Sequence, residues 1–306
     1  MVIKVKGMNS SVKVKQSPAE KAGDVIIYTI LVFISIVTLY PFWYVLIISL
    51  NDSNIINYSK IYFWTSALTL DNFKVVFTTN ALFNGFKVSV LRTVIGSLFS
   101  VICNAALAYG LTKKKLPGRN FFLNIIIITL FFSGGLIPFF LLLKKLAILN
   151  TFWVYIVPLL FSPWTIILMK TYFSSLPVSL EEAAKIDGAN DLKVFYKIVI
   201  PTSMPLLATM LLFAAVSHWN DWIMGEIYVL KPALHPIQTV LMRMITQMSA
   251  SDMIRQSMNA EFITKVPSME SVKMAAIVVT TIPILLVYPF LQKYFVQGVM
   301  IGAIKE

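Results

Sequence analysis

The stretch His218–Tyr228, HWNDWIMGEIY, gathers side chains that could bind a polar solute. Asp221 and Glu226 fall in a long apolar run, where carboxylates are costly and mark candidate water-filled paths. They are five residues apart and so should not share one helix face. Trp219 and Trp222 are three apart, and Trp222 and Glu226 four apart, so these three can line one stripe. Aromatic rings suit the flat C–H faces of a sugar, and Asn220, Asp221 or Glu226 suit its hydroxyls. Trp219, Asn220, Asp221, Trp222 and Glu226 are therefore the candidate solute-path residues. The same residues also fit an interfacial aromatic belt with carboxylates at a membrane edge.

Catalytic constellations are missing. None of the twelve glycines precedes a lysine, so no G-x-x-x-x-G-K-[ST] phosphate loop exists. G-x-S-x-G and H-E-x-x-H do not occur either. The single cysteine, Cys103, sits in an apolar run and forms no disulfide within the chain. His218 and His235 lack neighbours with metal-ligand spacing and read as structural. The sequence predicts a non-enzymatic chain with no cofactor and no metal of its own.

What must position these residues is a set of membrane helices. The 306 residues are 58% hydrophobic and 13% charged, about half the charge of an ordinary soluble domain. Six apolar runs are long enough to cross a bilayer, which takes roughly 20 residues as a helix. They cover about 25–50, 91–112, 121–143, 146–169, 204–230 and 274–295. None alternates as a barrel strand would, and helices satisfy their own backbone in lipid. The expected fold is all-α and polytopic. The basic residues 1–23 followed by an apolar run could suggest a signal peptide, but the run is long and no A-x-A site follows, so a retained span is expected.

The formal net charge is +12. The basic residues cluster at the ends of apolar runs rather than in a patch with interleaved aromatics, which suits lipid headgroups and not nucleic acid. Lys4, Lys6, Lys13, Lys15 and Lys21 precede the first run, and Lys113, Lys114, Lys115 and Arg119 fill the turn after the second. The positive-inside rule puts both in the cytoplasm, although Lys144 and Lys145 then fall in a short outer loop. The expected organisation is a cytoplasmic arm 1–23, a six-helix domain 24–295 and a cytoplasmic tail 296–306 in the cell membrane.

One polar stretch interrupts the pattern. Around Glu181–Asn190, EEAAKIDGAN, Ser179 and Glu182 have capping-box spacing, Pro177 blocks an upstream helix, and Gly188 can supply a left-handed stop. Asp191 can cap a second short helix that ends at Pro201. The prediction is a helix-turn-helix on the cytoplasmic face, with a slim alanine side for close approach.

Glu182-Ala183-Ala184, three residues, Gly188, nine residues, then Ile198-x-Ile200-Pro201 resembles the EAA loop of ABC importer permeases. Ile200 stands where that family usually has Leu. LYPFWYVLIISLND (39–52), AYGLTKKKLPGRNFF (108–122), HWNDW (218–222) and YPFLQKYFVQGVMIGAIK (288–305) resemble its carbohydrate branch, the maltose-type second permease. The resemblance implies a type I importer: a second homologous permease, two ATPase subunits inside that hold ATP and Mg, and a substrate-binding protein outside. It implies that segment 177–201 docks on the ATPase through Glu182, Ala183, Ala184 and Gly188, with Asp187 beside the turn, and that the cargo is a saccharide, an oligosaccharide before a monosaccharide. The alternatives are an importer permease for a peptide or amino acid, or an ATP-independent channel or secondary transporter.

Two further features are open at this stage. Gly134, Gly135 and Pro138 fit a hinge or close helix packing. The methionines from Met242 to Met258 fit either a flexible binding surface or loop packing.

Overall fold

The computed structural model describes residues 17–52, 63–65, 67–78, 80–246 and 269–303. Among these, regular structure is helical apart from one isolated antiparallel bridge between Asn51 and Leu68. The methionine-rich stretch falls partly outside the described residues, as do the lysines of residues 4–15.

Helix α1 (Pro18–Ser49) begins with a capping box: Glu20 N–H donates to Ser17 Oγ at 3.2 Å, and Ser17 N–H to the Glu20 carboxylate at 2.8 Å. Its sides are exposed and apolar until Ile47 and Ile48 pack at its far end. The hydroxyls of Thr29, Ser35 and Thr38 donate to carbonyls one turn back, at 2.7–2.9 Å. In lipid no water could take those bonds. After α1, buried Asn72 on α2 (Asp71–Thr78) donates to the Ser49 and Asn51 carbonyls at 2.9 and 2.7 Å and ties the loop back.

Helix α3 (Asn80–Thr112) is the axis of the fold and packs along both α6 (Pro163–Ser174) and α10 (Met204–Asn220). Helix α13 (Met269–Ala303) packs on α10 and α1. Helix α10 approaches α3 closely because Gly96 lies under the His218 ring, where a Cβ has no room.

The six expected runs are present in order, but three are not single helices. The third divides into α4 (Arg119–Phe131) and α5 (Leu136–Lys145). Gly135 adopts φ 81° at the break, so the Gly134–Gly135 pair interrupts the span rather than merely easing packing. The fourth opens with two 3-10 turns, Phe152–Tyr155 and Val157–Leu159, before α6 starts at Pro163 with a 45° bend. Pro158 and Pro163 withhold the N–H groups a continuous helix needs. The fifth run ends as a helix at Asn220 and resumes as α11 (Ile223–Tyr228). Residues 237–246 form a further helix, α12. Helices α1 and α3 are each unbroken and long and apolar enough to span, and α13 runs for 35 residues.

Candidate functional site

The predicted helix-turn-helix is present as α7 (Val178–Ile186) and α8 (Asp191–Val194), which continues through a π-helical stretch to α9 (Ile200–Thr202). Its capping differs from the expectation. Pro177 takes the N-cap of α7, which moves Ser179 inside the first turn, so no Ser179–Glu182 box forms. Asn190, not Asp191, caps α8, accepting from the Lys193 N–H at 2.9 Å. Gly188 does take the left-handed conformation, with φ 75°.

This segment has two faces. Ala184 and Ala189 pack on the core built by Tyr109, Phe195 and Val199. Glu182, Ala183, Asp187 and Gly188 point outward, and Ile186 beside them is 87% exposed. Glu181, rather than Glu182, turns inward, and its carboxylate meets Lys113 Nζ at 2.5 Å. Lys113 also lies 4.0 Å from the centre of the Tyr109 ring, which stacks on Phe195 at 5.1 Å. Arg119 Nε closes the end of α3 by donating to the Leu111 carbonyl at 2.8 Å. One end of α3 is thereby fastened to α7.

Burial pulls the Lys113 ammonium down, but Glu181 and Tyr109 together outweigh it and hold the group above its ordinary value. A raised lysine stabilises below its unfolded value and loses that contribution as pH rises through the folded one. The fastening therefore persists through neutral pH and loosens only in strong alkali. Replacing Lys113 with Met should remove about 1 kcal/mol and raise amide exchange across 178–190, with α10 unchanged.

The residues of HWNDW do not form the expected stripe, because the helix breaks inside it. Trp219 is 6% exposed and its Nε1–H donates to the Thr280 carbonyl at 3.2 Å. Asn220 is exposed at the end of α10. Asp221 accepts the Ile223 and Met224 N–H groups at 3.1 and 3.2 Å, which starts α11, and its other oxygen takes Arg92 Nη2 at 2.6 Å. Arg92 is fully buried on α3 and lies 4.7 Å from the Tyr155 ring centre. Trp222 is half-buried, its carbonyl taken by the Thr239 hydroxyl. Glu226 pairs with Arg243 at 2.6 Å, and Arg243 reaches His235, whose other ring nitrogen meets the Val229 carbonyl.

The neighbouring positions line a cavity of about 410 Å³ between α3, the start of α6 and α10. Ser100, Ser162, Thr165, Ser217 and His218 are its polar lining residues. Asn104, one turn below Ser100, is the residue that sequence reasoning passed over. It is fully buried, accepts the Ser162 N–H at 2.9 Å and donates to the Leu160 carbonyl at 2.9 Å. It thereby satisfies two backbone groups at the break before α6; a lone amide in an apolar run was the available signal. Asn104→Leu should cost about 1–3 kcal/mol through the two orphaned backbone groups, read as a lower unfolding temperature in detergent.

Residues 96–301 match the family described as binding-protein-dependent transport system inner membrane component. The chain belongs to this family. The permease is 38% identical over 282 residues to the polygalacturonan/rhamnogalacturonan transport system permease protein YtcP of Bacillus subtilis (strain 168), covering 92% of this chain and 98% of the relative. It is 38% identical over 269 residues to Protein LplC of the same organism, covering 88% and 90%. Among solved structures it is similar to a chain of a bacterial ABC transporter involved in the import of the acidic polysaccharide alginate, with a TM-score of 0.81, 29% identity, and 92% and 100% of the two chains covered. The expected class stands: a non-catalytic, multi-pass permease of the sugar ABC importer family with the type I fold.

Proposed function

We infer that this permease carries an oligosaccharide inward by alternating access, driven by ATPase subunits that dock on the outward face of α7. The observation that carries this is the division of the segment into an inner face fastened to α3 and an outer face left open. Glu182, Ala183, Asp187 and Gly188 lie on that outer face together with exposed Ile186. ATP and Mg belong to those subunits, since this chain has no phosphate loop.

The cargo class follows from the relatives, whose names specify polygalacturonan, rhamnogalacturonan and arabinooligosaccharides. A second permease and an external binding protein complete the assembly. A solved transporter of similar fold carries a periplasmic protein loaded with alginate pentasaccharide. Lys113 meets Glu181 of α7 within this basic cluster, which supports a cytoplasmic position for both.

The test is uptake of labelled pectin-derived oligosaccharides by cells with and without this chain. Uptake should require the chain and stop when ATP is depleted while the membrane potential is clamped. Uptake that survives ATP depletion and follows the potential would place the chain with secondary transporters instead.

A further inference from the structure

One cavity of the chain has a chemistry that differs from the one the HWNDW residues promised. The cavity of about 410 Å³ lies within the range of about 300–1,000 Å³ that small-molecule sites occupy. Its polar residues are four with hydroxyls, Ser100, Ser162, Thr165 and Ser217, with the His218 imidazole in the wall. His218 is 3% exposed, and its Nδ1 has no hydrogen-bond partner. The ring is held against Gly96, so it shapes the cavity wall and does not offer Nδ1 to a ligand. Trp164 and Phe213, 51% and 42% exposed, stand at the rim with ring centres 6.2 Å apart. Rings so placed offer a flat apolar face to the C–H side of a pyranose.

Neither a lysine, an arginine nor a carboxylate lines the space. The nearby cation, Arg92, is fully buried and committed to Asp221. Moving a sugar carboxylate from water into hydroxyls alone would leave its charge uncompensated. We propose that this cavity binds one uncharged, hydroxyl-rich sugar ring, and that any acidic ring of the cargo is handled outside this chain. The proposal rests on the carbohydrate reading above and narrows it.

Three observations give the cavity a built form. Asn104 fixes the strand of backbone that carries Ser162 and leads into Thr165. Gly96 lets His218 lie against α3. The Ser162 hydroxyl holds the first turn of α6 by accepting from Thr165 N–H at 3.3 Å. The hydroxyls therefore start from fixed positions, which reduces the ordering cost of binding.

Protection of a cysteine placed in the cavity tests this. Ser217→Cys is made with Cys103→Ser, and the assembled transporter is purified through a tag on this chain. The rate of modification by a small methanethiosulfonate is read by mass on the peptide that carries residue 217. Galactotriose should slow it roughly tenfold, equivalent to about 1.4 kcal/mol, and trigalacturonate should leave it within about twofold. Thr165→Cys reads the same space if the first variant fails to assemble. Equal or stronger protection by trigalacturonate would overturn the assignment to an uncharged ring. No protection by either sugar, in a transporter that still takes up oligosaccharide, would overturn the subsite and leave the carbohydrate reading standing. Loss of all saccharide uptake in the unmodified transporter would instead strike the functional reading beneath it.

Discussion

Replacing Asp221 with Asn should destabilise the permease by about 3–5 kcal/mol, the largest single-residue effect we expect. The Arg92 side chain is fully buried, and its charge is balanced by one carboxylate oxygen at 2.6 Å. Asn at 221 can still start α11, because its side-chain oxygen can accept the Ile223 and Met224 N–H groups. What is lost is the countercharge. Arg92→Met should be milder, since the Asp221 side chain keeps 20% exposure and its hydrogen bonds to α11.

The double variant Arg92→Met, Asp221→Asn should then recover to within about 1–2 kcal/mol of the parent, because no unpaired charge remains. The measurement is thermal unfolding in detergent followed by tryptophan fluorescence. Equal losses in the Asp221 single and the double variant would show that the site matters through packing and not through charge.

The second large effect concerns transport rather than stability. Ala183→Trp should lower ATP-driven uptake about 100-fold, the equivalent of some 2.7 kcal/mol of lost docking. Its unfolding temperature should stay near the parent's, because Ala183 faces outward and surface changes usually fall within about 0.5 kcal/mol. Ala184→Trp should behave differently. Ala184 packs on the inner core, so the larger ring overpacks it at a cost of about 1–3 kcal/mol and both readouts fall. Two adjacent alanines are thus separable by experiment. Normal uptake by the Ala183 variant would remove α7 from the docking surface.

Features set by local backbone chemistry were readable from the residues. Gly188 was expected in the left-handed region and is found there, because the rule involves one residue's own sterics. The order of the six apolar runs was readable for the same reason: hydrophobicity is summed along the chain. The capping box was not, because two local signals competed at the same place. Ser179 had the right spacing, but Pro177 started the helix first.

The breaks inside the spans were only half visible. Gly134–Gly135 and Pro163 mark two of them, while the break after Asn220 follows from Asp221. Nothing near Asp221 in sequence reveals its partner, since Arg92 lies 129 positions away. That distance also explains why the stripe expected from Trp219, Trp222 and Glu226 does not form. With helix periodicity assumed through residue 222, Trp219 and Trp222 form a stripe. In the folded chain Trp219 is spent on Thr280, and Ser217 and His218 take the cavity.

Helix α3 carries a further consequence as a mechanical part. Lys113, at one end, grips α7, and Ser100, thirteen residues earlier, lies on the cavity wall. Thirteen residues of unbroken α-helix measure about 20 Å. Among the described spans, α3 is one of the few with neither a proline nor a break to absorb bending. It therefore behaves as a stiff lever. A tilt of about 10° between its two points of attachment shifts one relative to the other by about 3.5 Å over that length, comparable to the width of a hydroxyl contact. A small angular displacement at the membrane surface is enough to make or break the hydrogen bonds that would hold a sugar ring.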